Sequence, residues 1–467
     1  MPHATFAELL ALSGLPGTGA DLPEIIGDDP VLPTRFRIGA AGAGSLAATG
    51  LAAARLWTQK TAGTQQVSVD VRAAAASLRS SRYLRINDQP LPAMWDPFSG
   101  FYPVRDGRWV SIHCNFANHR DAALKVLGRA TDRKAAETAS IAWDGLALED
   151  AIHAAGGCAG FVRSAEEWAR HPHAAAVAGQ PLLEIVRIGD GPPQPLPAGM
   201  RPLSGVRVLD LTRVLAGPTC ARTLAEHGAD VLKITAAHLP DSGLVELDTG
   251  IGKLSARLDL RAAADVDRLR GLALEADVFS QSYRPGALAA RGFSPEALAG
   301  LRPGIVCVTL TAWGNSGPWR DRRGFDSIVQ CVSGMADIEG RSHDKTDKPR
   351  LLPVSAIDYV AGYLMAYGTM LALGRRAKEG GSWLVRVSLA RTGKWIVDRG
   401  VLAQAALAGV PAELSDAEIA TLCTETDAPN GRIRHLKPVV AMSQTPPCWA
   451  RPPVPLGFHP PVWPARS

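Results

Sequence analysis

The stretch Asp358–Ile396 lies over Ala40–Leu78 without a gap, so one helix-turn-strand unit occurs twice in the chain. The aligned identities are Ala43/Ala361, Gly44/Gly362, Leu46/Leu364, Ala48/Ala366, Gly50/Gly368, Ala54/Ala372, Lys60/Lys378, Gly63/Gly381, Val67/Val385 and Val69/Val387. An internal repeat limits the architectures a chain can reach, because each copy has an apolar face that must be packed. In the first copy small residues from Gly39 to Gly50 recur along a helical pattern, which suits close backbone packing, and Val67, Val69 and Val71 alternate as a strand. The copies part at their head, where the first has Ala40 and the second Asp358. An Asp in a first helical turn is favoured by the helix dipole whatever its role. The same field would keep a nucleophilic carboxylate ionised, so Asp358 is the first candidate for a working residue.

At 467 residues and 46% hydrophobic, the chain is long enough for two or three domains with real cores. Its net charge of +5 comes from interspersed Arg and Asp/Glu, without the basic runs that follow a nucleic-acid backbone, so nucleic acid is excluded as a partner and a small anion is not. Seven scattered cysteines, odd in number and never spaced Cys-x-x-Cys, fit reduced thiols in a cytoplasmic protein. No export signal and no apolar run long enough to span a membrane is expected.

The chain divides into a lead-in (1–35) with a short helix at Phe6–Leu12, the Asp-less repeat unit (36–90) and a small α+β domain (91–188). A Pro-rich linker (189–202), a Rossmann-like domain carrying the second repeat unit (203–405) and a Pro-rich tail (406–467) complete it, with 446–464 wrapping the surface as an extended strap. In the small domain Gly100–Val104 and Arg108–His113 read as a hairpin turning at Asp106-Gly107, and Ser164 to Glu167 is a capping box. Beyond the linker, strands at Val206–Leu211, Asp230–Ile234, Val278–Ser280 and Ile305–Thr311 alternate with helices at Gly217–His227 and Ala262–Ala276. Near-continuous apolar strands between helices predict a doubly wound parallel sheet, an α/β fold.

Several motifs fail on their own chemistry. The glycines at 14–19 lack a preceding strand and read as a loop. Gly250 to Ser255 lacks the earlier glycine of a phosphate loop and has Leu254 where a magnesium-binding hydroxyl belongs. His113, Cys114 and His119 fit no zinc spacing and take a structural role, and no Gly-x-Ser-x-Gly elbow is present. The first βα turn, Arg213 to Pro218, has no dinucleotide fingerprint, which disfavours NAD; a plain turn and an anion site at the helix start fit it equally. Arg284 and Arg323 each fit a phosphate contact or an ordinary carboxylate pair.

Together these residues resemble the family III CoA-transferases, the CaiB/BaiF family. The likeness is carried by Pro202 to Thr212 running into Ala216-Gly217-Pro218, by Gly228 to Lys233, and by Gly252 to Ser255 with Leu258-Asp259-Leu260. It continues through Tyr283 to Leu288, Gly314 to Pro318, Gly324-Phe325-Asp326 and Ser333-Gly334. The resemblance implies an acyl-CoA:carboxylate CoA-transferase with Asp358 as nucleophile, working through an aspartyl acyl-anhydride and an enzyme-bound CoA thioester. It implies CoA contacts at Ala216, Leu258, Asp259, Leu260, Arg261, Ser282, Tyr283, Arg284, Arg323 and Asp326. Acyl-CoA is then a substrate with no permanently bound cofactor or metal, a carboxylic acid is the acceptor, and a homodimer is the implied assembly.

Three positions depart from the pattern. Ala236 stands where a basic residue often meets the nucleotide, and Leu254 replaces the usual Arg after Lys253. Phe325 takes the place of the His that the racemase branch uses as its second base, which demotes an α-methylacyl-CoA racemase-like isomerase. The order is also unusual, with a repeat unit and small domain ahead of the sheet half, as in a rearranged fusion. The Ala40 copy keeps a non-catalytic CoA-binding relative as the alternative.

Overall fold

The computed structural model describes residues 1–14, 22–92, 95–239, 243–343 and 348–465. Of the glycines at 14–19, only Gly14 is among them. The organising element is a seven-stranded sheet, and its strands in chain order are β1 (Glu184–Gly189), β2 (Arg207–Leu211), β3 (Asp230–Thr235), β4 (Lys253–Arg257), β5 (Val278–Gln281), β6 (Val306–Thr311) and β7 (Ser382–Ser388). They lie in the spatial order β4-β3-β2-β5-β6-β7-β1, all parallel except β1, which runs antiparallel to β7.

Successive side chains of a strand point to opposite faces, and both faces here are apolar. Val208, Val231, Val278, Val306 and Val385 enter one core, while Leu209, Leu232, Phe279, Cys307 and Leu384 enter a second, beneath the helices Ala263–Leu274 and Pro295–Leu301. The first core is covered by α1 (Ile38–Thr61), α2 (Ala216–Glu226), α3 (Asp326–Val332) and α4 (Ala356–Glu379). The domain is therefore α/β and doubly wound, with a smaller α+β domain beside it.

The duplication is visible in three dimensions. Helices α1 and α4 are each 24 residues long and start in the same register, with Ala40 and Asp358 both in the first turn. Each is followed by a strand, Val67–Asp70 or β7, and a second helix. Gly50 and Gly368 are matched in detail: a Cβ at either would lie 2.7 Å from the equivalent strand valine, Val67 or Val385. The two helices pack side by side, with the Thr49 hydroxyl donating to the Tyr363 carbonyl at 3.4 Å. Although α4 is long and apolar enough to cross a membrane, it is enclosed by protein along its apolar stretch.

The small domain is a three-stranded antiparallel sheet (Gly100–Pro103, Trp109–Ile112, Ala159–Phe161) with helices Ala117–Val126, Arg133–Ser140 and Gly145–Ala154 around its own core. Gly107 takes φ 76° in the hairpin turn, and Ser164 with Glu167 forms the full capping box. The domain seats against α3 through Gly160, where a Cβ would be 3.1 Å from both Ile328 and Val332.

Three expectations need correction, and one strand is unforeseen. The stretch 406–445 is not a tail: Cys423–Ala428 and Gly431–Leu436 form a hairpin that pairs with Arg85–Ile86, and Ala441–Met442 pairs with Val67 and Ser68. The short strands are hard to see in the sequence because Pro429 sits at their turn, Pro438 follows them and the first strand is polar along most of its length. From 446 to 465 the chain has no helix or strand and is tied down by its indoles, Trp449 donating to Arg222 O at 3.1 Å and Trp463 to Leu272 O at 3.0 Å. The lead-in is core material, since helix Pro2–Ser13 buries Phe6, Leu9 and Leu10 against α1. Gly189 belongs to β1 rather than to a linker, and 253–257 is a strand whose Lys253 is buried against Asp210 at 2.8 Å.

Candidate active site

Asp358 lies in the first turn of α4, 9% exposed, at the meeting of two cavities that both include it in their walls. Its position is set by a close crossing. A Cβ at Gly362, one turn further along, would come 2.5 Å from the Ala216 carbonyl, so only glycine lets α4 pass backbone to backbone over the start of α2. The turn before α2 is equally tight: a Cβ at Gly217 would lie 2.4 Å from Thr212 Cβ, and Val214 is held at φ 70°. That conformation is costly for a β-branched residue and collects at functional sites. Val214 and Leu215 wall both cavities.

The first cavity, about 560 Å³, is basic. Ala216, Ser282, Tyr283, Arg284 and Arg323 line it with Asp358, together with Arg213 and His119. Arg284 and Arg323 form no ion pair among the described residues, and burial together with the Arg284 charge holds the Arg323 guanidinium below its usual range. His119 is pushed down to about 4 by burial and by the charges of Arg323, Arg213 and Arg284. Arg284 and Arg323, crowded together with no ion pair among the described residues, define a place for an anion of several charges.

The second cavity, about 670 Å³, is of mixed character: Trp95, Phe116, Val245, Phe325, Leu351 and Leu352 line it together with His113, Arg82, Arg350 and the Arg79–Glu413 pair. His113 stacks flat on Phe325 with ring centroids 3.8 Å apart, and burial pushes it down to about 3, so it is neutral.

Beneath the nucleophile candidate sits a second carboxylate. Asp326 Oδ2 accepts the Asp358 amide N–H at 3.1 Å and the Ile357 amide also donates to this carboxylate. Gln330 Nε2 donates to Asp326 Oδ1, and Gln330 Oε1 accepts the Leu352 amide at 2.8 Å, which ties the loop before α4 to α3. Burial raises Asp326 to about 6 against these hydrogen bonds. Burial first, and the Asp326 charge second, raise Asp358 well above the usual carboxylate range. Burial and the Asp326 charge thus oppose the helix start, which is expected to keep Asp358 ionised.

Of the ten positions expected to meet CoA, five line the basic cavity: Ala216, Ser282, Tyr283, Arg284 and Arg323. Leu258, Asp259, Leu260 and Arg261 do not. Leu258 is buried in the sheet core, Leu260 packs against that core, and Asp259 and Arg261 are occupied with each other at 2.6 Å. Asp326 lies outside the basic cavity, its carboxylate facing the α4 amides and the second cavity. His113 and His119, read as structural, stand in the cavity walls, and Nδ1 of each has no hydrogen-bond partner. Among the described residues no cluster of three or more His, Cys, Asp or Glu side chains could hold a metal ion.

On this mixed α/β fold a helix-borne carboxylate lies between two cavities, and likeness to known proteins gives the chain's family. The model of CoA-transferase family III matches residues 10–190 and 203–426, and the chain belongs to that family. It is 28% identical over 323 residues to acetyl-coenzyme A transferase nodX of Hypoxylon pulicicidum, covering 64% of this chain and 54% of that one. It is 31% identical over 201 residues to the succinyl-CoA–L-malate CoA-transferase alpha subunit of Chloroflexus aurantiacus (40% and 46% covered) and 32% over 194 residues to human succinyl-CoA:glutarate CoA-transferase (39% and 43%). The chain thus spans about half the length of the curated relatives it matches. Among solved structures, a CaiB/BaiF family protein from Brucella suis aligns at 24% identity and TM-score 0.40, covering 50% of this chain and 65% of that one.

Proposed function

We propose that the protein is an acyl-CoA:carboxylate CoA-transferase in which Asp358 is the nucleophile. One observation carries this: the buried carboxylate of Asp358 lines both a cavity crowded with arginines and a second cavity whose rings and aliphatic side chains lie beside Arg79, Arg82 and Arg350. The phosphates of CoA suit Arg284, Arg323 and Arg213, and the acyl group and the acceptor acid suit the second cavity. The thioester carbonyl then comes to rest beside Asp358.

In this reading an Asp358 oxygen attacks the thioester carbon, the C–S bond breaks, and CoA leaves as a thiolate, giving an aspartyl acyl-anhydride. The thiolate attacks the aspartyl carbonyl, forming an enzyme thioester and releasing the donor acid. The acceptor carboxylate attacks that thioester, and the thiolate takes up the new acyl group, freeing Asp358. Dividing the transfer into such exchanges is the contribution of a covalent nucleophile. The chain supplies both walls of the site, the basic wall mainly from the sheet half and His113, Phe116 and His119 from the small domain.

Asp358→Asn is the test. Acyl exchange is expected to vanish while CoA binding by calorimetry persists, and hydroxylamine is expected to trap an adduct at Asp358 in the parent protein only. A parent protein that exchanges no member of a broad acyl-CoA and carboxylate panel sinks the enzyme reading and leaves a CoA-binding relative.

A further inference from the structure

The duplication carries its own control for Asp326. In the first copy the amides of Gly39 and Ala40, in the first turn of α1, each lie 2.8 Å from the carboxylate of Asp29. In the second copy the equivalent amides, Ile357 and Asp358, are taken by Asp326. Asp29 lies 11 residues before Ala40 and Asp326 lies 32 before Asp358, so the anchors come from different segments and converge on one geometry. At Asp29 the anchor is tightly packed and only half-buried: a Cβ on Gly39 would meet Asp29 Oδ1 at 2.6 Å and Val71 at 2.8 Å, and Asp29 lines neither cavity. Nothing there needs more than a cap. Asp326 instead borders the second cavity alongside Asp358, and Gln330 gives it a further donor that is itself fixed by the Leu352 amide.

We propose that Asp326 is a positioning residue for the nucleophile: held by three donors, it fixes the start of α4 and in its ionised form repels the Asp358 carboxylate, so that acylation of Asp358 relieves the repulsion. The step balances within the exchange already described, because the anhydride and the thioester at Asp358 are both neutral while the negative charge leaves on CoA thiolate or the released acid. Repulsion thus raises the reactant state of each attack by Asp358 and is absent once the acyl bond has formed. The other charged and titratable groups around the pair are His113 and His119 of the small domain, Arg213, Arg284 and Arg323 on the basic side, and Arg350 with the Arg79, Arg82 and Glu413 cluster on the other. Burial and Asp326 are the influences that raise Asp358, and both histidines are neutral. This rests on the proposed function.

The test pairs Asp326→Asn with Asp29→Asn. Asparagine keeps a carbonyl oxygen for the helix amides and removes the charge. D326N is expected to bind CoA like the parent, to lower kcat on the order of tenfold, and to move the acid limb of kcat/KM down by about one pH unit. D29N is expected to change stability comparably and leave both kcat and the limb unmoved, and D326E to keep the limb near the parent's. A limb in D326N that stays where the parent's lies, with kcat retained, overturns the proposal and reduces Asp326 to a cap. Should D326N not fold, Gln330→Leu serves instead: loss of one donor lets Asp326 take a proton more readily, and the limb must move in the same direction. A parent protein without any acyl exchange fails the functional reading, whereas an active parent with an unmoved limb fails only this one.

Discussion

Gly362→Ala tests whether the close crossing of α4 over α2 holds the nucleophile in place. The added Cβ would stand 2.5 Å from the Ala216 carbonyl oxygen and 2.7 Å from Thr219 Cβ. The carbonyl belongs to the backbone at the start of α2 and cannot rotate away, so the helices must separate. Overpacking of this kind costs about 1–3 kcal/mol. Alanine in a helix interior returns up to about 1 kcal/mol relative to glycine. The net expectation is a loss of about 1–2 kcal/mol in urea unfolding. Because Ala216 and Asp358 wall the same cavity, separation also displaces the carboxylate from the thioester, and a displacement near 1 Å can lower kcat on the order of 100-fold. Gly44 occupies the same place in the first copy, where a Cβ would first meet Thr5 Cγ2 at 2.7 Å, the tip of a side chain near a helix start. G44A is therefore expected to cost less stability and to leave kcat unchanged. A G362A protein as stable and active as its parent, or a G44A protein that loses more activity than G362A, refutes the reasoning.

Lys253→Met removes one partner of a buried pair (Lys253 1% and Asp210 0% exposed) and is expected to destabilise the protein by about 3–5 kcal/mol in urea unfolding, because Asp210 is left charged and buried. Asp358→Asn is expected to stabilise the fold increasingly as pH rises. Folded Asp358 holds its proton above the 3.8 of a free Asp, so the parent loses stability as pH rises through that raised value, and thermal unfolding of the two proteins from pH 5 to 8 reads the difference. Arg284→Ala and Arg323→Ala are each expected to weaken CoA binding on the order of tenfold at low salt and by less at high salt, measured by calorimetry.

The sheet was legible because its central strands are buried on both faces and read as short apolar runs between amphipathic helices; Val278–Gln281 and Val306–Thr311 were placed to within a residue. The strands that escaped lack that pattern. Glu184–Gly189 is an edge strand exposing Val186 and Arg187, and Cys423–Ala428 is charged along its exposed side. Asp358 could be singled out because the chain contains its own comparison, an alanine at the same place in a second copy. His113 reads as structural, and Asp326 stands out only through the resemblance and as a CoA contact, not for the place it takes beneath α4. Their surroundings depend on the small domain meeting α3 and on α3 meeting α4, pairings between segments far apart in sequence that no local spacing encodes.

The persistence of the Asp-less copy follows from packing rather than chemistry. Helix α4 is buried along most of its length, and α1 supplies one of the walls that bury it. The first unit and the lead-in helix also hold α4 through Tyr363 and Tyr367, whose hydroxyls donate to Ser77 at 3.0 Å and to the Leu9 carbonyl at 3.1 Å. Burial of side chains this large contributes several kcal/mol, a substantial share of any domain's net stability. What the two copies share is therefore what the fold requires: a glycine at the strand crossing and a carboxylate anchoring the first-turn amides. What only the second has, Asp358 open to two cavities with Gln330 holding the anchor beneath it, goes beyond what packing demands, and it is there that substitutions should divide activity from stability.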